Sequence, residues 1–403
     1  MVLGAPVVIH SADWQIGKPY GRVADADKRA RLRQARIDAI ARIGAHCKTT
    51  GAAALVVAGD LFDAPTPAAS DVSAVCAALG AIGCPVLVIP GNHDHGGAGS
   101  VWHDAFFQAE RQRRAPNLQV LLERQPLELE ELVVLPCPLL RRSDSADPCS
   151  WLNQLDWDGL PADQPRLVLA HGSIQGFGAT DQAGQPSNDS DDENPPNANN
   201  LLRLDSRWLE QVDYVALGDW HGLKQVGPKA WYAGTPEPDR FPRHSDYRSG
   251  MVLQVTLQRG RLPQVKTLPT GVLGWHPVQA QLHGDADLER LEQDLEALLG
   301  DRVGSDLVLL EQGGSLSLEA HHRYNALLER LEAQLLRLKR RGHCGEAPGA
   351  GELEALTSRP GDPLISQVAA ALQVELQGAK GHGQEPLERA LAELHRAVLQ
   401  AEG

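Results

Sequence analysis

A chain of 403 residues in which 42% are hydrophobic is too long for one ordinary core, so size and composition predict two or three globular domains. The formal net charge of −14 argues against strong unaided binding of nucleic acid through bulk electrostatics, although divalent ions and a partner subunit can offset this charge in a nuclease. The six cysteines are scattered and form no CxxC pair, which argues against a disulfide framework or a zinc ribbon and favours reduced thiols.

The apolar runs of the chain are short. The longest, such as 52–58 and 85–90, are far below the roughly 20 residues that span a bilayer. Near the start, the strand-like run 7–9 leads directly towards Asp13, and no basic segment precedes an apolar one. We therefore expect no membrane segment, no signal peptide and a cytoplasmic location.

Strand-like and helical runs alternate over the first part of the chain. Isoleucines at near-helical spacing predict a helix within residues 25–49, which Gly51 ends. The alternation continues with a strand that ends before Gly59, a helix at about 71–79 and a strand at 86–89. This β-α-β-α-β order predicts an α/β fold with a largely parallel sheet and helices outside it.

The later segments differ in character. Residues 180–200 are polar and acidic with almost nothing to bury, which predicts a mobile surface loop. We expect the sheet-forming domain at residues 1–272, a small α+β module at 273–342 and a helical segment at 352–403. The module is expected to cover the site. Leucine stripes in the last helices indicate internal packing, with docking of a partner protein as the alternative.

Five turns, each directly after a strand-like run, carry the side chains that metal centres use. They contain Asp13-Trp14-Gln15, Gly59-Asp60, Gly91-Asn92-His93-Asp94, His171-Gly172 and Gly218-Asp219-Trp220-His221. Because loops at strand ends gather at one rim of an α/β sheet, we expect these side chains to share one site. Two divalent ions about 4 Å apart can activate water, neutralise phosphate charge and stabilise a leaving oxygen. The pattern predicts hydrolysis of phosphoesters.

The order of these turns resembles the signature of the calcineurin-like metallophosphoesterases. With His171-Gly172-Ser173 and the added C-terminal module, it looks most like the SbcD-type DNA-repair exonucleases, over about residues 1–270. The resemblance implies a four-layer α/β/β/α sandwich with a small C-terminal α+β cap module and a helical tail. It also implies DNA as substrate, a coiled-coil ATPase partner of the SbcC type and a homodimer.

The resemblance assigns a role to each polar residue of the turns. The implied ligands of the first metal are Asp13, Gln15, Asp60 and His221, and those of the second are Asp60, Asn92, His171 and Asp219. His93 would stand beside the scissile phosphate as proton donor or charge stabiliser, and Asp94 would orient its ring. Lys18 and Arg22 follow the first turn, where they either meet substrate phosphates or remain solvated charges.

Two residues depart from the family pattern, since Gln15 and Asp219 stand where histidines are usual. Both replace an imidazole nitrogen by an oxygen, which favours Mn²⁺, or else Mg²⁺, over Zn²⁺. The opposing interpretation is that Gln15 does not coordinate and that the first position is weak or empty.

The expected function is therefore two-metal-dependent cleavage of DNA phosphodiester bonds in DNA repair, by exonuclease and in addition endonuclease activity. One alternative is a phosphodiesterase or phosphatase that acts on a small or non-DNA substrate. The other is a metal-impaired scaffold that binds DNA ends.

Overall fold

The computed structural model describes residues 5–174, 200–204, 207–242, 246–346, 350–379 and 384–402. The predicted surface loop therefore lies outside the described residues, apart from Asn200. The chain divides into two compact units, Met1–Leu273 and Gly274–Gly403. In the part that the structure describes, no helix is long and apolar enough to cross a membrane.

The first unit contains three helices and fourteen strands among its described residues. In chain order these are β1 (Val7–Ser11), α1 (Ala26–Thr50), β2 (Ala54–Ala58), α2 (Ala69–Gly80), β3 (Val86–Ile89), α3 (Ala105–Arg114), β4 (Leu118–Val120), β5 (Leu127–Glu128), β6 (Val133–Cys137), β7 (Arg166–His171), β8 (Ser173–Ile174), β9 (Leu201–Leu202), β10 (Tyr214–Gly218), β11 (Lys224–Gln225), β12 (Ala230–Tyr232), β13 (Met251–Thr256) and β14 (Gln264–Pro269). Short 3₁₀ helices lie at Val101–His103, Ser150–Gln154 and Arg207–Gln211.

Two six-stranded sheets organise this unit. The first has the order β14-β13-β1-β2-β3-β4, and its four strands from β1 to β4 are parallel. The second has the order β11-β12-β10-β7-β6-β5, and its four central strands are parallel. Antiparallel strands complete both sheets at their edges. Because parallel strands point the same way, the loops that follow them leave each sheet at one edge.

The sheets pack face to face across a shared apolar core. Val56 of β2 and Leu87 of β3 join Leu169 of β7 and Ala216 of β10 in that core. The opposite face of the first sheet packs against α1 and α2, and that of the second sheet packs against the 3₁₀ helices near Leu152 and Trp208. This arrangement confirms the predicted α/β sandwich.

Local signals explain the limits of the long helix that covers the first sheet. The carboxylate of Asp25 accepts hydrogen bonds from the backbone N–H groups of Asp27 and Lys28, which caps the start of α1. At the other end Gly51 adopts a left-handed φ of 63°, and its N–H reaches the carbonyls of the last turn. The predicted stop at this glycine is confirmed.

The second unit is described by itself. It contains β15 (Gly274–Leu282), α4 (Asp285–Leu299), β16 (Asp306–Leu316), α5 (Leu318–Gln334), β17 (Arg337–Gly342), β18 (Gly345–Glu346), α6 (Ala350–Thr357), α7 (Pro363–Gly378) and α8 (Gln384–Glu402). Its strands pair in parallel, and leucines of α4 and α5 cover them. The expected segments 1–272, 273–342 and 352–403, and the expected position of the module over the site, stay predictions.

Candidate metal centre

The turns predicted to form a site begin at the ends of five parallel strands. Asp13 follows β1, Asp60 follows β2 and Asn92 follows β3, whereas His171 ends β7 and Asp219 follows β10. The two sheets meet here directly, since Nδ1 of His171 in the second sheet lies 2.7 Å from the carbonyl oxygen of Ala58, the last residue of β2. The strand ends of both sheets therefore contribute to one place.

Three of the predicted ligands form a tight, buried group. One ligand atom each of Asp13, Asp60 and His171 lies within 4.8 Å of the other two. The ring atom Nε2 of His171 is 2.8 Å from Oδ1 of Asn92, 3.6 Å from Oδ2 of Asp60 and 3.8 Å from Oδ1 of Asp219. The structure thus brings together five of the seven predicted metal ligands, four of them around the imidazole of the fifth, His171.

Two glycines allow this close approach. A Cβ at Gly59 would lie 2.3 Å from Nδ1 of His171, and a Cβ at Gly91 would lie 2.1 Å from Oδ1 of Asp60. Gly59 also has a φ of 86°, which residues with a side chain rarely adopt. Larger residues at either position would push the ligands apart.

Rare backbone conformations concentrate at the same residues. Among the residues that the structure describes, six non-glycine residues have positive φ, and four of them are the predicted ligands Asp13, Gln15, Asp60 and Asp219. Such conformations cost free energy and persist where surrounding contacts impose them, which is typical of functional sites. The strain supports the assignment of these turns to a site.

A buried arginine that the sequence analysis missed holds the first turn in place. Arg36 of α1 donates hydrogen bonds to the backbone carbonyls of Asp13 (3.1 Å) and Trp14 (2.7 Å). It also bonds the hydroxyl of Thr235 (3.1 Å) and the carbonyl of Glu237 (3.3 Å), and so joins the first turn to the loop after β12. The sequence does contain a sign of this role, because Arg36 lies on the apolar face of the predicted helix, where a buried charge needs hydrogen-bond partners.

The charges of the group match the needs of a cation. Burial raises the pKa of Asp13 to about 7, and among the described residues its buried Oδ2 has no hydrogen-bond partner. Burial alone would lower the pKa of His171, but the charges of Asp60, Asp13 and Asp219 outweigh it and raise the pKa to about 9. Carboxylates crowded without enough donors are stabilised by a bound divalent ion, so these residues fit the metal that the pattern predicts.

Asp219 has a defined orientation although it departs from the family pattern. Its Oδ2 accepts a hydrogen bond of 2.6 Å from the hydroxyl of Ser173, and its backbone N–H donates to Oδ1 of Asp13 over 3.0 Å. Its Oδ1 is the oxygen that faces His171. A carboxylate held in this way can take the place of the usual histidine.

His221 and Gln15 are engaged with other groups. His221 does not belong to the tight group, and its Nδ1 lies 2.8 Å both from Oδ2 of Asp239 and from Nη2 of Arg240. Burial and the charge of Arg240 lower its pKa to about 4, so the ring is neutral. Oε1 of Gln15 accepts a hydrogen bond of 3.1 Å from Nζ of Lys18. Coordination by either residue stays a prediction.

The structure corrects the predicted role of Asp94. Its two carboxylate oxygens accept hydrogen bonds from the backbone N–H groups of Gly91 (2.7 Å) and Phe62 (3.0 Å), so Asp94 ties two turns together. The ring atom Nδ1 of His93 instead lies 2.9 Å from the carbonyl oxygen of Asp63. The motif Gly-Asn-His-Asp is a tight turn, and a buried carboxylate in it meets the nearest unpaired backbone donors.

Comparison with known proteins agrees with this site. Residues 6–299 match the family described as calcineurin-like phosphoesterase. No curated protein matches the chain. Among solved structures 62 chains match, and one crystal structure covers 65% of this chain and 99% of its own at 11% identity with a TM-score of 0.36, a likeness too weak to add to the argument.

Proposed function

The chain belongs to the calcineurin-like phosphoesterase family, and on that premise we propose that it hydrolyses DNA phosphodiester bonds with two divalent ions, as an exonuclease with added endonuclease activity in DNA repair. The observation that carries the metal-dependent chemistry is the buried group of Asp13, Asp60 and His171, with one oxygen of Asp13 unpartnered among the described residues. DNA as substrate is supported by the order and spacing of the turns, which resemble those of the SbcD-type exonucleases.

The residues present divide the work of such a reaction. Bound divalent ions would neutralise phosphate charge and lower the pKa of a water molecule. Asp60 is central among the ligands, because it approaches His171 and also accepts the backbone N–H of His93 over 2.9 Å. Asp60 therefore fixes the position of the proposed proton donor, His93, relative to the proposed ligand His171.

His93 is suited to donate a proton or hydrogen bond to a phosphate oxygen. Its side chain is 24% exposed, and its Nδ1 is taken by the carbonyl of Asp63, which leaves Nε2 for a ligand. Burial would lower the pKa of His93, but the charge of Asp60, the carbonyl of Asp63 and the charge of Asp63 raise it above its usual value. A ring that is protonated more readily near neutral pH can stabilise a leaving oxygen.

The proposal extends to the metal, the partner and the location. The tight group offers one nitrogen ligand, and its other ligands are oxygens. Oxygen-rich ligation supports Mn²⁺, with Mg²⁺ as the alternative. The net charge of −14 supports a DNA-holding partner, for which the resemblance suggests a coiled-coil ATPase of the SbcC type and a homodimer of this chain. We also propose a cytoplasmic location.

The test compares substrates on the purified full chain. Labelled single- and double-stranded DNA ends and bis-p-nitrophenyl phosphate are incubated with Mn²⁺, Mg²⁺ or Zn²⁺, with and without the partner ATPase. We expect DNA to be cleaved with Mn²⁺, and Asp60→Asn to abolish cleavage while Asp38→Asn, at an exposed position of α1, does not. Hydrolysis of the small ester without cleavage of any DNA would overturn the DNA proposal and favour a small-substrate phosphoesterase.

One observation favours a second function. The ammonium group of Lys18 donates a hydrogen bond to the amide oxygen of Gln15. This interaction is expected if Gln15 does not coordinate a metal and the first position is impaired. The protein would then be a DNA-end-binding scaffold that keeps the fold. Metal content separates the two proposals, since near-zero Mn²⁺ after reconstitution and dialysis supports the scaffold.

A further inference from the structure

We propose that Lys18 competes with a divalent ion for the amide oxygen of Gln15, so that the centre has one tight and one weak metal position. This inference rests on the proposed metal-dependent function and concerns the order in which its two positions fill. The tight position lies at Asp60, Asn92, His171 and Asp219, and the weak one lies on the side of Gln15.

Lys18 is placed by the fold and does not reach Gln15 as a loose surface chain. Its Nζ lies 3.1 Å from Oε1 of Gln15 and 2.8 Å from Oδ2 of Asp239, and its side chain is only 16% exposed. The backbone N–H of Lys18 donates to the carbonyl of Gln15 over 3.1 Å, which closes a turn through Gly17 at a φ of 95°. The turn keeps the two side chains adjacent.

The chemistry of the two groups makes the competition direct. An ammonium group can only donate hydrogen bonds, and a glutamine side chain has a single acceptor, Oε1. That oxygen is also the only atom through which Gln15 can coordinate a metal. A divalent ion at Oε1 would therefore share one oxygen with a fixed positive charge and be repelled by it.

Asp239 extends this effect to the other ligand predicted for the same position. Its buried Oδ2 contacts both Nζ of Lys18 and Nδ1 of His221, each over 2.8 Å, and its Oδ1 lies 3.0 Å from Nε of Arg240. The negative charge of Asp239 is thus offset by two cations, Lys18 and Arg240. Filling the first position requires Lys18 to leave Gln15.

The second position is lined by oxygens around the ring of His171. Nε2 of His171 faces the oxygens of Asn92, Asp60 and Asp219, and two of these residues are carboxylates. An ion beside this ring would be attracted by both carboxylates without having to displace a lysine, so this position fills first.

The test is a titration of the metal-free full chain with Mn²⁺, in which calorimetry gives the affinities and electron paramagnetic resonance counts free Mn²⁺. For the unaltered protein we expect two steps, the second weaker than the first by about tenfold or more. Lys18→Met should tighten the second step by about tenfold or more and leave the first step within about twofold. Lys18→Arg keeps the charge and should keep the second step weak.

Lys48→Met is the matched control, because it removes the same charge from an exposed position in the last turn of α1. It should leave both steps unchanged. Two equal steps in the unaltered protein, or a second step that Lys18→Met does not change, would overturn the role of Lys18. If the unaltered protein shows no tight step, or if Asp60→Asn leaves the tight step intact, the proposed function itself would be overturned.

Discussion

Replacement of Gly91 by alanine tests whether the close approach of the third turn to Asp60 shapes the metal centre. The new Cβ would lie 2.1 Å from Oδ1 and 2.6 Å from the backbone nitrogen of Asp60. Carbon–oxygen contacts in proteins are about 3.3 Å or longer, so the carboxylate and its turn must separate from residue 91 by roughly 1 Å. Because one of the two atoms is a backbone nitrogen, a change of side-chain rotamer cannot relieve the clash, and the displacement reaches the turn itself.

The consequences follow from what Asp60 contacts. Its Oδ1 also accepts the N–H of His93 over 2.9 Å, and its Oδ2 lies 3.6 Å from Nε2 of His171. Overpacking of this kind costs about 2 kcal/mol of the free energy of unfolding. A ligand displaced by about 1 Å should also weaken hydrolysis about 100-fold and lower the affinity for Mn²⁺.

Urea denaturation of the metal-free protein and a Mn²⁺ titration measure the two effects. Gly83→Ala is the control, because among the described residues no atom beyond Gly83 and its two chain neighbours lies within 4 Å of the position of its Cβ. Gly83 precedes β3, the strand that Gly91 follows. We expect this variant to match the unaltered protein in both measurements. If Gly91→Ala unfolds and binds Mn²⁺ as Gly83→Ala does, then the packing argument for this centre is refuted.

Three further outcomes are expected. Arg36→Met removes four hydrogen bonds to buried oxygens and should lower the free energy of unfolding by about 3 kcal/mol or more. Arg31→Met, at an exposed position of α1, should lower it little. Equal losses in urea denaturation would contradict the role of Arg36 in holding the first turn. Because the pKa of His171 is raised to about 9, its ring is protonated at pH 7.5, so Mn²⁺ binding should release protons and tighten as the pH rises towards 9. Calorimetry in buffers of different protonation enthalpy measures this release, and an affinity that falls with rising pH would refute it. His93→Asn should keep Mn²⁺ binding yet reduce hydrolysis by about 100-fold or more, and a matching loss of metal would show that His93 acts on the centre and not on the phosphate.

The general architecture follows from signals that lie close together in the chain. Apolar runs with helical stretches between them indicated parallel strands, and the strand predicted at 86–89 agrees with β3 at Val86–Ile89. The stop at Gly51 could be located because a left-handed residue at a helix end is a local requirement. Polar residues at strand ends could be assigned to one site because parallel strands bring their following loops to one edge.

The partners of individual side chains could not be obtained in this way. Arg36 contacts Thr235 and Glu237, and Lys18 contacts Asp239, across about 200 residues of sequence. Asp94 was predicted to serve the ring of His93 because the two are adjacent in sequence. It bonds backbone groups of two turns instead, since a tight turn directs neighbouring side chains to different places.

For this protein, then, the order of residues alone was enough to establish the class of fold, the edge where the polar turns collect and the kind of chemistry that such turns support. Those properties depend on periodicity and chain direction, which are local. Which oxygen faces which imidazole, and which lysine lies against Gln15, emerged only from the packed molecule. Such contacts depend on ångström-scale distances between distant segments and on unusual φ values that neighbouring loops impose, and neither is encoded in spacing along the chain.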